Sequence, residues 1–143
     1  MSQSLAKIFL HLIYSTKNRE RILQDDIREA LHRYTAGILK DLKSPAVVIN
    51  SVEDHIHILY LQSKNFAVTK IVEEIKTGSS IWLKTQGPRY STFHWQTGYG
   101  VFSVSQSGVA EVVKYIESQQ KHHRQKTFQE EFREFFETLR NHL

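Results

Sequence analysis

No cysteine occurs in the 143 residues. Disulfides and thiolate metal sites are therefore excluded, and any metal must be held by nitrogen and oxygen donors. Only two prolines and six glycines interrupt the chain. No internal repeat, low-complexity tract or linker divides it. Long apolar runs are missing too: nothing approaches the roughly 18 consecutive apolar residues of a membrane span. The stretch Met1 to Lys7 lacks the basic region, apolar core and cleavage site of a secretory signal. A cytoplasmic protein with no membrane partner is expected. An acidic surplus is also absent: the formal net charge is +4, a balance that favours polyanionic partners such as nucleic acid.

What is present suffices for one domain spanning residues 1–143. With 40% apolar and 11% aromatic residues, the chain can bury a core. Residues 5–15 read as a central strand, apolar on both sides. Residues 24–43 have helical spacing through Ile27, Leu31, Tyr34, Ile38 and Leu42, with Asp25 as N-cap. Pro45 follows that helix, and Ala46–Ile49 is a short strand. A turn over 50–54 leads to a strand over 55–61, so the two strands pair as a hairpin. Helical spacing returns over 66–85, and Gly87-Pro88 breaks it. Tyr99–Val104 reads as the last strand. Ser107 can cap a helix over about 108–123, and a further amphipathic helix covers about 127–141. The core then runs over about 5–105. The order β-α-β-β-α-β, followed by helices, predicts an α+β, ferredoxin-like antiparallel sheet. Such a sheet names no function by itself.

The sequence His55-Ile56-His57 lies in the third strand. Alternation puts both imidazoles on one face, about 7 Å apart along the strand. They can converge on one divalent ion, with added oxygen ligands suiting Mg²⁺ or Mn²⁺. Taken alone, the pair reads equally as polar residues near the edge of a half-buried strand. Asp54 reads as a turn residue, with support of the adjacent histidine as a lesser role.

On the following helix, Val109, Val112, Val113 and Ile116 form a packing stripe. Glu111, Tyr115, Gln119 and His122 line a different face. A tyrosine and an amide there also read as ordinary surface. Their joint occurrence with the histidines changes the balance. Two histidines need a third protein ligand, and the Gln119 amide oxygen is a suitable hard donor one helical turn from Tyr115. A phenol is a poor nucleophile at neutral pH unless assisted. A divalent ion on the scissile phosphate supplies that assistance. Tyr115 would then form a 5′-phosphotyrosine and release a 3′-OH. A second 3′-OH could rejoin the strand without ATP.

These residues resemble the HUH single-tyrosine transposases, the TnpA type of insertion-sequence transposase, together with their REP-associated relatives. His55-Ile56-His57 matches the family's His-hydrophobic-His motif, and Tyr115 with Gln119 matches its helix-borne Tyr-x-x-x-Gln. The resemblance extends over Ser15-Thr16-Lys17-Asn18-Arg19, Ile75-Lys76-Thr77-Gly78-Ser79-Ser80 and Trp95-Gln96-Thr97-Gly98-Tyr99. It implies a metal-dependent DNA transposase that cleaves single-stranded DNA at the hairpin ends of a mobile element. It implies a divalent ion on His55, His57 and Gln119, with Tyr115 as nucleophile. It also implies a homodimer whose active sites are shared between subunits. The alternative is a non-catalytic or domesticated hairpin-DNA-binding regulator of the same fold.

Lys17, Arg19 and Arg21 cluster after the first strand. Lys121, His122, His123, Arg124 and Lys126 follow the tyrosine helix. Both clusters can hold phosphates, with Lys17, Arg19, Arg21, Lys121 and Arg124 as DNA-binding candidates. Solvated surface is their alternative. Phe93, Trp95, Tyr99 and Phe102 are the right type to stack on bases, though core packing suits most of them better. The stripe Phe128, Phe132, Phe135, Phe136 and Leu139 reads as a helix-packing face.

Overall fold

The computed structural model describes residues 4–119, together with Glu130 and Arg133. Its elements are β1 (Phe9–Ser15), α1 (Asp25–Asp41), β2 (Ala46–Ser51), β3 (His55–Leu61), α2 (Val68–Lys84), β4 (Gly100–Val104) and α3 (Val109–Glu117). The four strands form one antiparallel sheet in the order β2-β3-β1-β4. This is the expected ferredoxin-like α+β arrangement.

Strand alternation divides the sheet into two functional faces. Leu10, Leu12 and Tyr14 of β1 join Ile56, Ile58 and Tyr60 of β3 in the core. Ile27, Leu31 and Leu39 of α1 and Ile71, Val72, Ile75 and Leu83 of α2 complete it. Each such side chain, fully buried, contributes roughly 1.5–3 kcal/mol. The opposite face carries His11, Ile13 and Ser15 beside His55, His57 and Leu59, and all six are buried as well. Burial on both faces is why β1 and β3 read as nearly unbroken apolar runs.

Helix α1 crosses α2 at Gly78, where a Cβ would lie 2.7 Å from Ile38 Cδ1. Only glycine permits that approach without movement of Ile38. The next residue, buried Ser79, accepts a hydrogen bond from Trp95 Nε1 at 3.0 Å. Phe93 and Trp95 pack edge to face in the core, so they are structural rather than base-stacking residues. The segment after them runs along the end of β1. Gln96 N donates to Ser15 O at 2.9 Å, and Lys17 N donates to His94 O at 3.0 Å. Lys76 Nζ donates to Gln96 O and Gly98 O at 2.7 and 2.9 Å, where Gly98 has a φ of 94°.

Several boundaries differ from expectation. Strand β1 begins at Phe9, and Leu5 and Ile8 before it are 97% and 47% exposed. Helix α1 starts after Gln24; Asp25 lies in its first turn and pairs with Arg28 instead of capping. Strand β2 extends to Ser51, so Asn50 is a strand residue opposite His57, not part of a turn. Ser105, rather than Ser107, accepts from Gly108 N and caps the 3₁₀ turn before α3. Helix α3 ends at Glu117. The expected continuation to 123 lies outside the described residues beyond Gln119, as does the helix over 127–141 apart from Glu130 and Arg133. No helix among the described residues is long and apolar enough to cross a membrane.

Candidate active site

The second sheet face is covered by α3, which packs against β2 and β3. Asn50 of β2 anchors it there: Asn50 Nδ2 donates to Ile116 O at 2.8 Å and to Glu117 O at 3.2 Å. Those carbonyls belong to the helix end, where intrahelical donors run out. Ile116 packs at 0% exposure, and Gln119 beyond it is equally buried.

This docking brings the four expected site residues together. The ring of half-buried Tyr115 meets the ring of His57 edge to face, with centroids 5.8 Å apart. The His55 and His57 rings are 5.2 Å apart. His55 Nε2 and Gln119 Oε1 face each other at 3.3 Å. His55 and His57 are both fully buried. Within the described residues, Tyr115 thus lies against the histidines of its own chain.

His55 is oriented from behind. Its Nδ1 lies 2.8 Å from Asp54 Oδ1, a geometry in which the nitrogen donates to the carboxylate. In the neutral ring, Nε2 then carries a lone pair facing the Gln119 carbonyl oxygen. Either a proton on Nε2, which would then donate to Gln119 Oε1, or a cation shared by both atoms reconciles that contact. Adjacent ligands of an octahedral ion lie about 3 Å apart, so the spacing suits a shared divalent cation. No group of three or more His, Asp and Glu side chains that could hold a metal gathers among the described residues. Two imidazoles and an amide oxygen are a donor set of the kind that could hold a divalent ion.

Of the cationic candidates, Lys17 and Arg19 occupy a 3₁₀ turn directly after β1, and both are exposed, as is Arg21. Asn18 and Arg19 in that turn have φ values of 57° and 54°. Asn18 N is held by Gln96 Oε1 at 3.0 Å. Because Ser15 pairs with His55, this basic turn leaves the sheet beside the histidine site. Lys121 and Arg124 lie outside the described residues.

Two contributors, His11 and Asn50, escaped the sequence reading, and a third, Asp54, was given support of the histidine only as a lesser role. His11 lies on the site face with its Nε2 2.9 Å from His57 Nδ1. Its place in an alternating strand was legible, but only the register with β3 brings the two rings together. Asn50 looked like a turn residue because Asn favours turns. Asp54 was read first as a turn residue, yet its carboxylate is part of the site.

Sheet and site together define a class, an α+β domain of the tyrosine-transposase fold. The family described as "Transposase IS200 like" matches residues 4–119, and the chain belongs to that family. It is thus a transposase by family, a class of enzymes that cleave DNA. The ISDra2 transposase TnpA of Deinococcus radiodurans is 25% identical over 114 residues, covering 76% of this chain and 81% of that one. A crystal structure of a putative transposase from Deinococcus radiodurans R1 superposes with a TM-score of 0.65 at 24% identity, over 83% of this chain and 98% of that one. A REP-associated tyrosine transposase bound to a REP hairpin superposes with a TM-score of 0.62 at 14% identity, over 86% of this chain and 74% of that one.

Proposed function

We propose that this transposase cleaves and rejoins single-stranded DNA through a 5′-phosphotyrosine on Tyr115. His55, His57 and Gln119 would hold a divalent ion, Mg²⁺ or Mn²⁺. The observation that carries the proposal is the convergence of one phenol, two imidazoles and one amide oxygen on a single buried sheet face. A bound ion would polarise the scissile phosphate and stabilise the charge developing on the leaving oxygen.

The chain's own residues do the remainder. The Tyr115 oxygen attacks phosphorus as its phenolic proton passes to water. The phosphorus–O3′ bond breaks, and the 3′ oxygen leaves with the electron pair and takes up a proton. Attack by another strand's 3′-OH on the phosphotyrosine reverses those steps and frees the phenol. Edge-on packing against His57 limits the orientations open to the Tyr115 ring. Asp54 holds the His55 ring in one tautomer. Lys17, Arg19 and Arg21 would hold flanking phosphates, and we extend the same role to Lys121 and Arg124.

The DNA partner is proposed to be a hairpin near the end of a mobile element. A REP hairpin is the ligand of the 14%-identical structural neighbour. A homodimer is also proposed. Strand β4 is an end strand of the described sheet, and an end strand can pair with a second copy.

The test incubates the protein with single-stranded DNA carrying the element's own end and Mg²⁺ or Mn²⁺. A covalent protein–DNA adduct is expected, absent in Tyr115→Phe although DNA binding persists. An adduct that survives in Tyr115→Phe removes Tyr115 as nucleophile. Hairpin binding without any adduct in the unaltered protein would instead indicate the regulator alternative.

A further inference from the structure

We propose that His11 is a positioning residue for His57, fixing its tautomer so that Nε2 is the metal-binding atom. The inference rests on the reading of His57 as a ligand. His11 stands on β1, opposite Leu59 in the ladder and diagonal to His57, which pairs with Ile13. It is 1% exposed, although histidine is a costly residue to bury without a partner. Its Nε2 lies 2.9 Å from His57 Nδ1, and the two rings are tilted by 33° with centroids 5.1 Å apart.

A hydrogen bond between two neutral imidazoles places its proton on one of the two nitrogens. With the proton on His11 Nε2, His57 would carry its own proton on Nε2 and could not donate that lone pair to a metal. With the proton on His57 Nδ1, His11 accepts and His57 Nε2 is a ligand. Only the second arrangement serves the site. It also mirrors His55, whose Nδ1 is held by the Asp54 carboxylate. The two ligands are thus supported differently, one by a carboxylate and one by a buried imidazole. A neutral acceptor behind His57 adds no second negative charge to a fully buried face.

His11 also touches the nucleophile. Its ring meets Tyr115 edge to face at 6.4 Å, inclined by 72°. A single buried ring therefore packs against both the ligand and the tyrosine.

The tautomer is read by long-range ¹H–¹⁵N spectra of the full-length, metal-free protein. His57 is expected to carry its proton on Nδ1. His11→Leu should shift it towards Nε2, whereas His11→Gln, which offers an oxygen near the position of Nε2, should preserve it. A Mn²⁺ titration followed by the resonance of the free ion gives the second readout. His11→Leu should weaken binding by about 10- to 100-fold, His11→Gln should recover most of it, and His57→Ala should be weaker still. Thermal melts of the metal-free variants identify any that fail to fold. A proton on Nε2 of His57 in the unaltered protein overturns the proposal. So does unchanged Mn²⁺ affinity in a folded His11→Leu when His57→Ala loses binding. Unchanged affinity in His57→Ala overturns the metal reading instead, and the tautomer of His57 then decides the role of His11 alone.

Discussion

His32 shows how one side chain makes stability depend on pH. It projects from α1 with its Nε2 2.7 Å from Ser51 Oγ. Burial, reinforced by the nearby Arg28 guanidinium and only partly offset by Glu29, lowers its pKa from 6.5 to about 4. The folded state therefore prefers the neutral ring. Between pH 6.5 and about 4 the unfolded chain binds a proton that the folded chain does not, so stability falls as pH falls through that window. The full loss is reached below about pH 4, and a shift of this size corresponds to at most about 3 kcal/mol. His32→Gln can keep a hydrogen bond to Ser51 but does not titrate. Urea midpoints measured from pH 7 to pH 4 should fall less steeply for His32→Gln than for the unaltered protein. Equal slopes would show that His32 is not the responsible group.

Elements are placed by residues whose effect reaches beyond their own position. Gly78 lies where α1 and α2 approach, and a Cβ there would meet Ile38 Cδ1. Gly78→Val gains at most a fraction of a kcal/mol in helix propensity. The overpacking costs typically 1–3 kcal/mol, so a net loss is expected in denaturant melts. Adding Ile38→Val, which deletes Cδ1, should recover part of it, and a double-mutant cycle measures how much. Helix α3 depends on Asn50 in a different way. Asn50→Ala removes two hydrogen bonds to the helix end, worth about 1–2 kcal/mol together. Hydrogen exchange should then show lost protection in α3 with little change in β1 and β3, along with reduced adduct formation. Uniform loss across the sheet would mean that Asn50 supports the whole fold and not the helix alone.

The same elements show what periodicity can and cannot carry. The strand over 55–61 was read without error, and α2 came within two residues at its start and one at its end. The strand is an almost unbroken apolar run buried on both faces, and the buried residues of α2 follow the helical period. Caps were read poorly. Asp25 and Ser107 are plausible capping types, but the chain entering each helix sets which residue lies at the boundary. The convergence of His57 with Tyr115 was legible as two motifs on two elements. The part played by His11 was not, because it arises from a diagonal between adjacent strands and no local spacing encodes it.

At the scale of the whole molecule, the question is which chain supplies Tyr115 to which histidines. Helix α3 lies on its own sheet, held by Asn50 and by the burial of Ile116 and Gln119. If two copies exchanged α3, each contact would reform between subunits, since exchange repeats the same interface. The contacts alone thus have nearly equal energies in either arrangement. The difference lies in the connection: β4 ends at Val104 and α3 begins at Val109, with a 3₁₀ turn between them capped by Ser105. That turn must open for α3 to reach a second subunit, and opening it gives up the Ser105 cap. Docking within the chain keeps the Ser105 cap that exchange would give up, and we predict it to be the favoured state in the absence of DNA. The consequence is testable with two inactive variants, His57→Ala and Tyr115→Phe. Mixed together and given single-stranded DNA with Mn²⁺, they should form no adduct above the level of either alone, because each His57→Ala chain offers its tyrosine to a defective site. Recovery that appears only on mixing would show that α3 crosses between subunits during the reaction, as the family resemblance implies. In that case a variant with the 104–109 connection shortened should lose the recovery on mixing. An otherwise unaltered chain with the same short connection should still place its own Tyr115 against its own His57 and bind Mn²⁺.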